Sequence, residues 1–137
     1  MSALSVFLSL LCVICLVSCG EKTDVETLWK DAVYTADTEF GEGSKTVQVQ
    51  VVAGENSVTF TVHTDAKTLG EALLAHDLIA GDIGEFGMYV KKVNGILADY
   101  DVDQSYWAFT KNGEAMMTGV DMTEIADGEQ YELVYTK

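Results

Sequence analysis

The stretch Thr46-Val47-Gln48-Val49-Gln50-Val51, followed after Gly54-Glu55-Asn56 by Val58-Thr59-Phe60-Thr61-Val62-His63, decides the fold class. In both halves, apolar residues suited to strands alternate with polar ones. A period of two places Val47, Val49 and Val51 on one face and Gln48 and Gln50 on the other, as a half-buried strand requires. The Gly-Glu-Asn break between the halves is a turn. The pair therefore reads as a β-hairpin with one apolar and one wet face.

An apolar hairpin face needs a cover, and the next residues supply a candidate. Leu69, Leu73 and His76 fall on one helical stripe, with Ala72 and Leu74 beside it. Thr68 and Glu71 stand three apart, the spacing of a capping box, in which the hydroxyl accepts from a free amide and the carboxylate reaches back. The helix is expected to end at Gly81. Gly81, Gly84 and Gly87 then read as an irregular crossing, 88–93 as a strand, Asn94-Gly95 as a tight turn and 96–98 as the return. Residues 105–111 form the next expected strand, turning at Asn112-Gly113 into 114–118, and 131–135 close the domain. The expected class is α+β: a β-grasp-like domain of two β-hairpins and further antiparallel strands packed with one α-helix.

Upstream, an uncharged apolar run over 3–17 ends in Leu16-Val17-Ser18-Cys19. This pattern resembles the bacterial lipobox, which implies cleavage after Ser18 and a diacylglycerol on the Cys19 thiol. The run is shorter than the roughly 20 apolar residues that span a bilayer, and it ends in a small residue as signal peptides do. No Lys or Arg precedes it, which an upstream start codon would explain. Residues 1–18 are thus expected to be a lipoprotein signal peptide and 19–45 a lipidated tether and N-terminal packing segment. The folded domain is then 46–137. Within the tether, Trp29, Val33, Tyr34 and Phe40 are too apolar for a free linker and are expected to pack on the domain. The expected location is the cell membrane, lipid-anchored on the extracellular face, with the membrane touched through the anchor only.

The 137 residues carry a net charge of −14 with no arginine. Such a surface repels nucleic acid and anionic lipid, so neither is an expected partner. Cys12 and Cys15 leave with the signal peptide and Cys19 is acylated, so the mature domain has no disulfide and no thiol nucleophile. Stability must come from the apolar core, which a domain of roughly 90 residues can supply.

Catalytic groups are sparse. His63 falls on the wet face of a strand and His76 in the helix; no serine occupies a nucleophile-elbow pattern and no phosphate-cradling glycine loop is present. The expected protein is not an enzyme. In Asp99-Tyr100-Asp101-Val102-Asp103, carboxylates at alternate positions make a weak calcium candidate, because that ion takes many oxygens. Gln104 and Thr110 stand where a calcium loop of the helix-loop-helix kind needs Gly and Glu, and the alternative is a solvated loop between strands. In Tyr106-Trp107-Ala108-Phe109, Trp107 and Phe109 share a face, Tyr106 takes the other, and Met116 and Met117 lie across the hairpin. The residues alone divide evenly between plain core and a ligand or partner patch.

The succession of Val93-Asn94-Gly95-Ile96-Leu97-Ala98-Asp99, Tyr106-Trp107-Ala108-Phe109, Asn112-Gly113, Gly119-Val120 and Asp127-Gly128 resembles the transcobalamin-like C-terminal domain family. Its bacterial lipoprotein members are catalogued as a domain of unknown function, and the resemblance spans 46–137. It implies a β-grasp-related fold and a ligand, because in animal cobalamin carriers this domain covers one face of the corrin ring. By matched position, Trp107, Ala108, Phe109 and Met116 become the ligand-binding candidates. Ala108 stands where the carriers' strand, Tyr-Trp-Gln-Phe, has glutamine, so one side-chain amide is lost. The helical barrel that completes the carriers' clamp has no counterpart in this sequence, which leaves a half-site of weaker affinity. The expected function is a surface-tethered, non-catalytic binding lipoprotein that takes cobalamin, another corrinoid or a similar ligand for uptake, with a membrane transporter or envelope protein as partner. No other cofactor is expected. The alternative is a protein-interaction or adhesion module of the envelope.

Overall fold

The computed structural model describes residues 28–137; the expected signal peptide over 1–18 and the expected lipidation site Cys19 lie outside the described residues. The alternating stretch forms β2 (Lys45–Ala53) and β3 (Asn56–Thr64), antiparallel from Lys45↔Thr64 to Ala53↔Asn56. Val47, Val49, Val51, Val58, Phe60 and Val62 are all buried, and Gln48 and Gln50 face outward. β9 (Gln130–Thr136) lies parallel to β2, with Val51 beside Leu133. β7 (Tyr106–Lys111) pairs antiparallel with β9, and the two-residue β8 (Glu114–Ala115) follows it at the edge. β1 (Thr38–Phe40) runs parallel to β3 at the far side, giving the order β1-β3-β2-β9-β7-β8.

A second sheet, β4-β5-β6, comprises β4 (Ile79–Gly84), β5 (Gly87–Val93) and β6 (Ile96–Leu97). Asn94 and Gly95, both at positive φ, form the tight turn between β5 and β6. The apolar core collects the inner face of the large sheet, β5 and the short helix α1 (Leu69–Leu74). The fold is α+β, with most of its strand pairs antiparallel. No helix of the described residues is long and apolar enough to cross a membrane.

Three sequence expectations need correction. The helix opens at Thr68, whose hydroxyl accepts from the Glu71 amide at 3.3 Å, but it runs only to Leu74 rather than to Gly81. Asp77 at φ 56° reverses the chain, and the Leu78 amide bonds back to the Leu73 carbonyl. Leu78 and Ile79 then enter the core and the chain continues as β4. A short apolar run fits helix or strand equally well; pairing with β5 decides it. Gly81 is therefore no helix stop. A Cβ there would lie 2.1 Å from the Tyr89 carbonyl oxygen, beside the bulge at Ala80/Gly81. The supposed glycine crossing is the β4–β5 hairpin. Finally, 100–103 are not loop but a second short helix, α2 (Tyr100–Asp103), capped by the Asp99 carboxylate on the Asp101 amide at 3.1 Å.

Residues before β1 pack on the domain. Trp29 Nε1 donates to the Ala53 carbonyl at 2.7 Å, and the Tyr34, Phe40 and Phe60 rings meet edge-to-face at 5.1–5.7 Å. Val33 is the exception at 65% exposed; its amide bonds to the Asn94 carbonyl instead.

Candidate ligand cleft

Strand alternation divides the aromatic segment of β7. Trp107 and Phe109 oppose Tyr135 and Leu133 of β9 and share the inward face, while Tyr106, Ala108 and Thr110 point the other way. Trp107 is 6% exposed and meets the Tyr135 ring edge-on at 5.7 Å. Phe109 is half-buried and stacks on Tyr131 at 5.9 Å. Because β8 is so short, the ladder on that edge of β7 ends with the Met116 amide on the Phe109 carbonyl, 3.0 Å away. Opposite the remaining edge stands the tip of the β4–β5 hairpin.

Between them lies a half-open cleft of about 550 Å³. Met88 and Val90 of β5, Trp107 and Phe109 of β7, Leu133 of β9 and Met116 line it, and Ala108 borders it. Phe86 and Met117 form an apolar rim, 73% and 90% exposed. The hairpin tip is stitched in place: the Gly119 amide donates to the Phe86 carbonyl at 3.0 Å, and Asp121 Oδ1 accepts from the Met88 amide at 2.6 Å. Gly119 is required here, since a Cβ would lie 2.6 Å from the Met88 nitrogen. Trp107 Nε1 is buried without a hydrogen-bond partner among the described residues, a costly state for an indole donor beside a cleft.

Trp107, Ala108, Phe109 and Met116 thus border one cleft. Ala108 differs from the others because its Cβ alternates onto the outer face. Sequence reading missed Met88, Val90 and Leu133, which look like ordinary strand residues and reach the cleft only through packing of β5 and β9. Tyr131, which stacks on Phe109, is itself held by a bond from its hydroxyl to Glu129 and lies under Lys111. Burial pushes the Glu129 carboxyl up, yet bonds from Lys111 Nζ (2.5 Å), the Ala126 amide (2.5 Å) and the Tyr131 hydroxyl (2.8 Å) outweigh it and hold the group below its ordinary value. Burial, then Glu129, pushes the Tyr131 hydroxyl well above the usual tyrosine range.

The acidic trio is differently engaged. Asp99 caps α2, and Asp103 accepts from the Ser105 hydroxyl at 2.5 Å and amide at 3.1 Å, bonds that hold its carboxyl low. Among the described residues, no three His, Cys, Asp or Glu side chains gather to hold a metal ion. His63 bridges Thr46 Oγ1 (2.9 Å) and Glu39 Oε1 (2.7 Å), tying β1, β2 and β3 together, while His76 packs on Phe40. A hollow on the outer sheet face, with Gln48, Gln50, Thr59 and Gln130 in its lining, is polar.

The fold and cleft define a class: a small α+β domain whose two sheets part at one end to leave a mostly apolar cleft. The model for the Domain of unknown function (DUF4430) matches residues 66–137, and the chain belongs to that family. A candidate metal-binding protein from Ruminococcus gnavus ATCC 29149 is similar at 37% identity and a TM-score of 0.65, with 69% of this chain and 98% of that one covered. Haptocorrin in complex with Cbi is similar in fold, at 20% identity and a TM-score of 0.56. That match covers 72% of this chain and 26% of haptocorrin. No curated protein matches the chain.

Proposed function

We propose that this protein is a non-catalytic binding lipoprotein, tethered through Cys19 at the extracellular face of the cell membrane, whose cleft receives a corrinoid or similarly amphipathic ligand for uptake. The observation that carries the reading is the cleft itself. Its volume of about 550 Å³ lies within the roughly 300–1,000 Å³ of small-molecule sites. Its lining is aromatic and methionine-rich, which suits one face of a broad, partly apolar ligand. The transcobalamin-like resemblance makes corrinoids the first class to test, and the parallel β2–β9 pair at the sheet centre supports the β-grasp assignment. An open half-site binds weakly alone; a tether beside a membrane transporter raises the effective concentration of the two halves.

The test is titration of cobalamin and cobinamide, followed by corrin absorbance and calorimetry. A Kd between roughly micromolar and millimolar is expected, weakened at least about tenfold by Phe109→Asp, which places a charge in an apolar wall. No binding of either compound at millimolar concentration, with or without a candidate transporter, overturns the ligand reading. The exposed Phe86 and Met117 favour one second reading, a docking site for an envelope protein. A partner captured from the envelope and lost with Met117→Asp would select it.

A further inference from the structure

At the outer end of the cleft, which Tyr89 and Tyr106 also line, these two residues border a second pocket of about 610 Å³. Tyr100, the first residue of α2, completes a set of three partly exposed tyrosines from three different elements. The Tyr100 and Tyr106 rings stand 6.5 Å apart at 59°, an open angle rather than a stack. Asp99 and Asp101 line the same pocket, and Lys91 there is engaged by Asp82 at 3.0 Å. We infer that this pocket is a binding site for an organic cation of the quaternary-ammonium class.

Aromatic faces attract such cations through the ring quadrupole, and clustered rings recognise methylated ammonium groups that cannot form hydrogen bonds. Among the described residues, the cation–π contact is Lys111 over Tyr131 at 5.9 Å, and no lysine stands over the faces of these three rings. The local charge is also suitable. With Lys91 and Asp82 offsetting each other, Asp99 and Asp101 leave the pocket negative on a chain of net charge −14. Burial first, then the charges of Asp101 and Asp99, raise the Tyr89 hydroxyl against the opposing effect of Lys91, which places the carboxylates' field at that ring. A hard metal ion fits poorly, since it requires converging oxygens rather than ring faces.

This site does not rest on the ligand of the cleft. It is tested on the full chain in neutral detergent, with choline and its uncharged carbon isostere dimethylbutanol, by NMR shift changes. Saturable choline binding with a Kd of about 1 mM is expected, with shifts at Tyr89, Tyr100 and Tyr106 and at least about tenfold weaker binding of the isostere. Tyr100→Leu should weaken choline binding roughly three- to tenfold while leaving corrinoid titration unchanged. Asp101→Asn should weaken it further at low salt than at high salt. Both residues are exposed, so the variants should keep the fold, which unchanged spectra elsewhere verify. Equal binding of choline and isostere, choline affinity unaltered in both variants, or no saturable choline binding overturns the proposal.

Discussion

Asn94 joins the N-terminal segment to the second sheet, and Asn94→Ala measures that joint. The side chain is 1% exposed; Oδ1 accepts from the Tyr34 amide and Nδ2 donates to the Tyr34 carbonyl, both at 2.8 Å. Each such bond is worth about 0.5–1.5 kcal/mol net, so losing both costs about 1–3 kcal/mol. Asn94 also holds φ 52°, a left-handed backbone that asparagine tolerates better than alanine, adding about 1 kcal/mol. The expected destabilisation is about 2–4 kcal/mol. Denaturant unfolding measures it, with Trp29 fluorescence reporting the attached segment, and exchange of the Tyr34 amide should accelerate. Asn94→Gly removes the same bonds but accepts the backbone, so it should cost about 1 kcal/mol less than alanine. A cost below about 0.5 kcal/mol for Asn94→Ala would refute the clamp. Glycine costing more than alanine would refute the backbone part.

Gly119→Ala should cost about 1–3 kcal/mol, because its Cβ would meet the Met88 nitrogen at 2.6 Å and oxygen at 2.8 Å and push the hairpin tip away; it should also weaken the proposed corrinoid binding, and unchanged melting would contradict the stitched tip. Glu129, held below its ordinary value of 4.5, contributes stability that is fully present above that pH and is lost as pH falls through the folded-state value. A carbon-detected NMR titration should therefore place its midpoint below 4.5, and Glu129→Gln should flatten the acid limb of the stability profile. A midpoint at or above 4.5 would mean that burial outweighs the three hydrogen bonds.

Local signals led to the right elements where a residue's own needs decided them. Asn94-Gly95 and Asn112-Gly113 turn the chain because all four residues sit at positive φ, which asparagine and glycine accept most readily. The Val-x-Val-x-Val alternation predicts the buried face of β2 because burial follows side-chain direction. The helix length failed for the converse reason: Leu78 and Ile79 suit a helix stripe and a strand equally, and pairing of Ile79 with Val93 across the β4–β5 hairpin chose between them. The candidate site divides in the same way. Trp107, Phe109 and Met116 were legible as an aromatic and methionine cluster, whereas Met88, Val90 and Leu133 carried no local mark.

The sequence by itself determined which residues prefer burial, where the chain turns, and the acidic, arginine-free character of the surface. Those properties depend on each residue and its near neighbours. Only the tertiary structure decided that β9 lies parallel beside β2, that β1 joins β3, and that the hairpin tip stands off β7 to open a cleft. The physical reason is that pairing between distant strands is set by the summed contacts of the whole packed arrangement, to which a local period of two contributes no choice of partner.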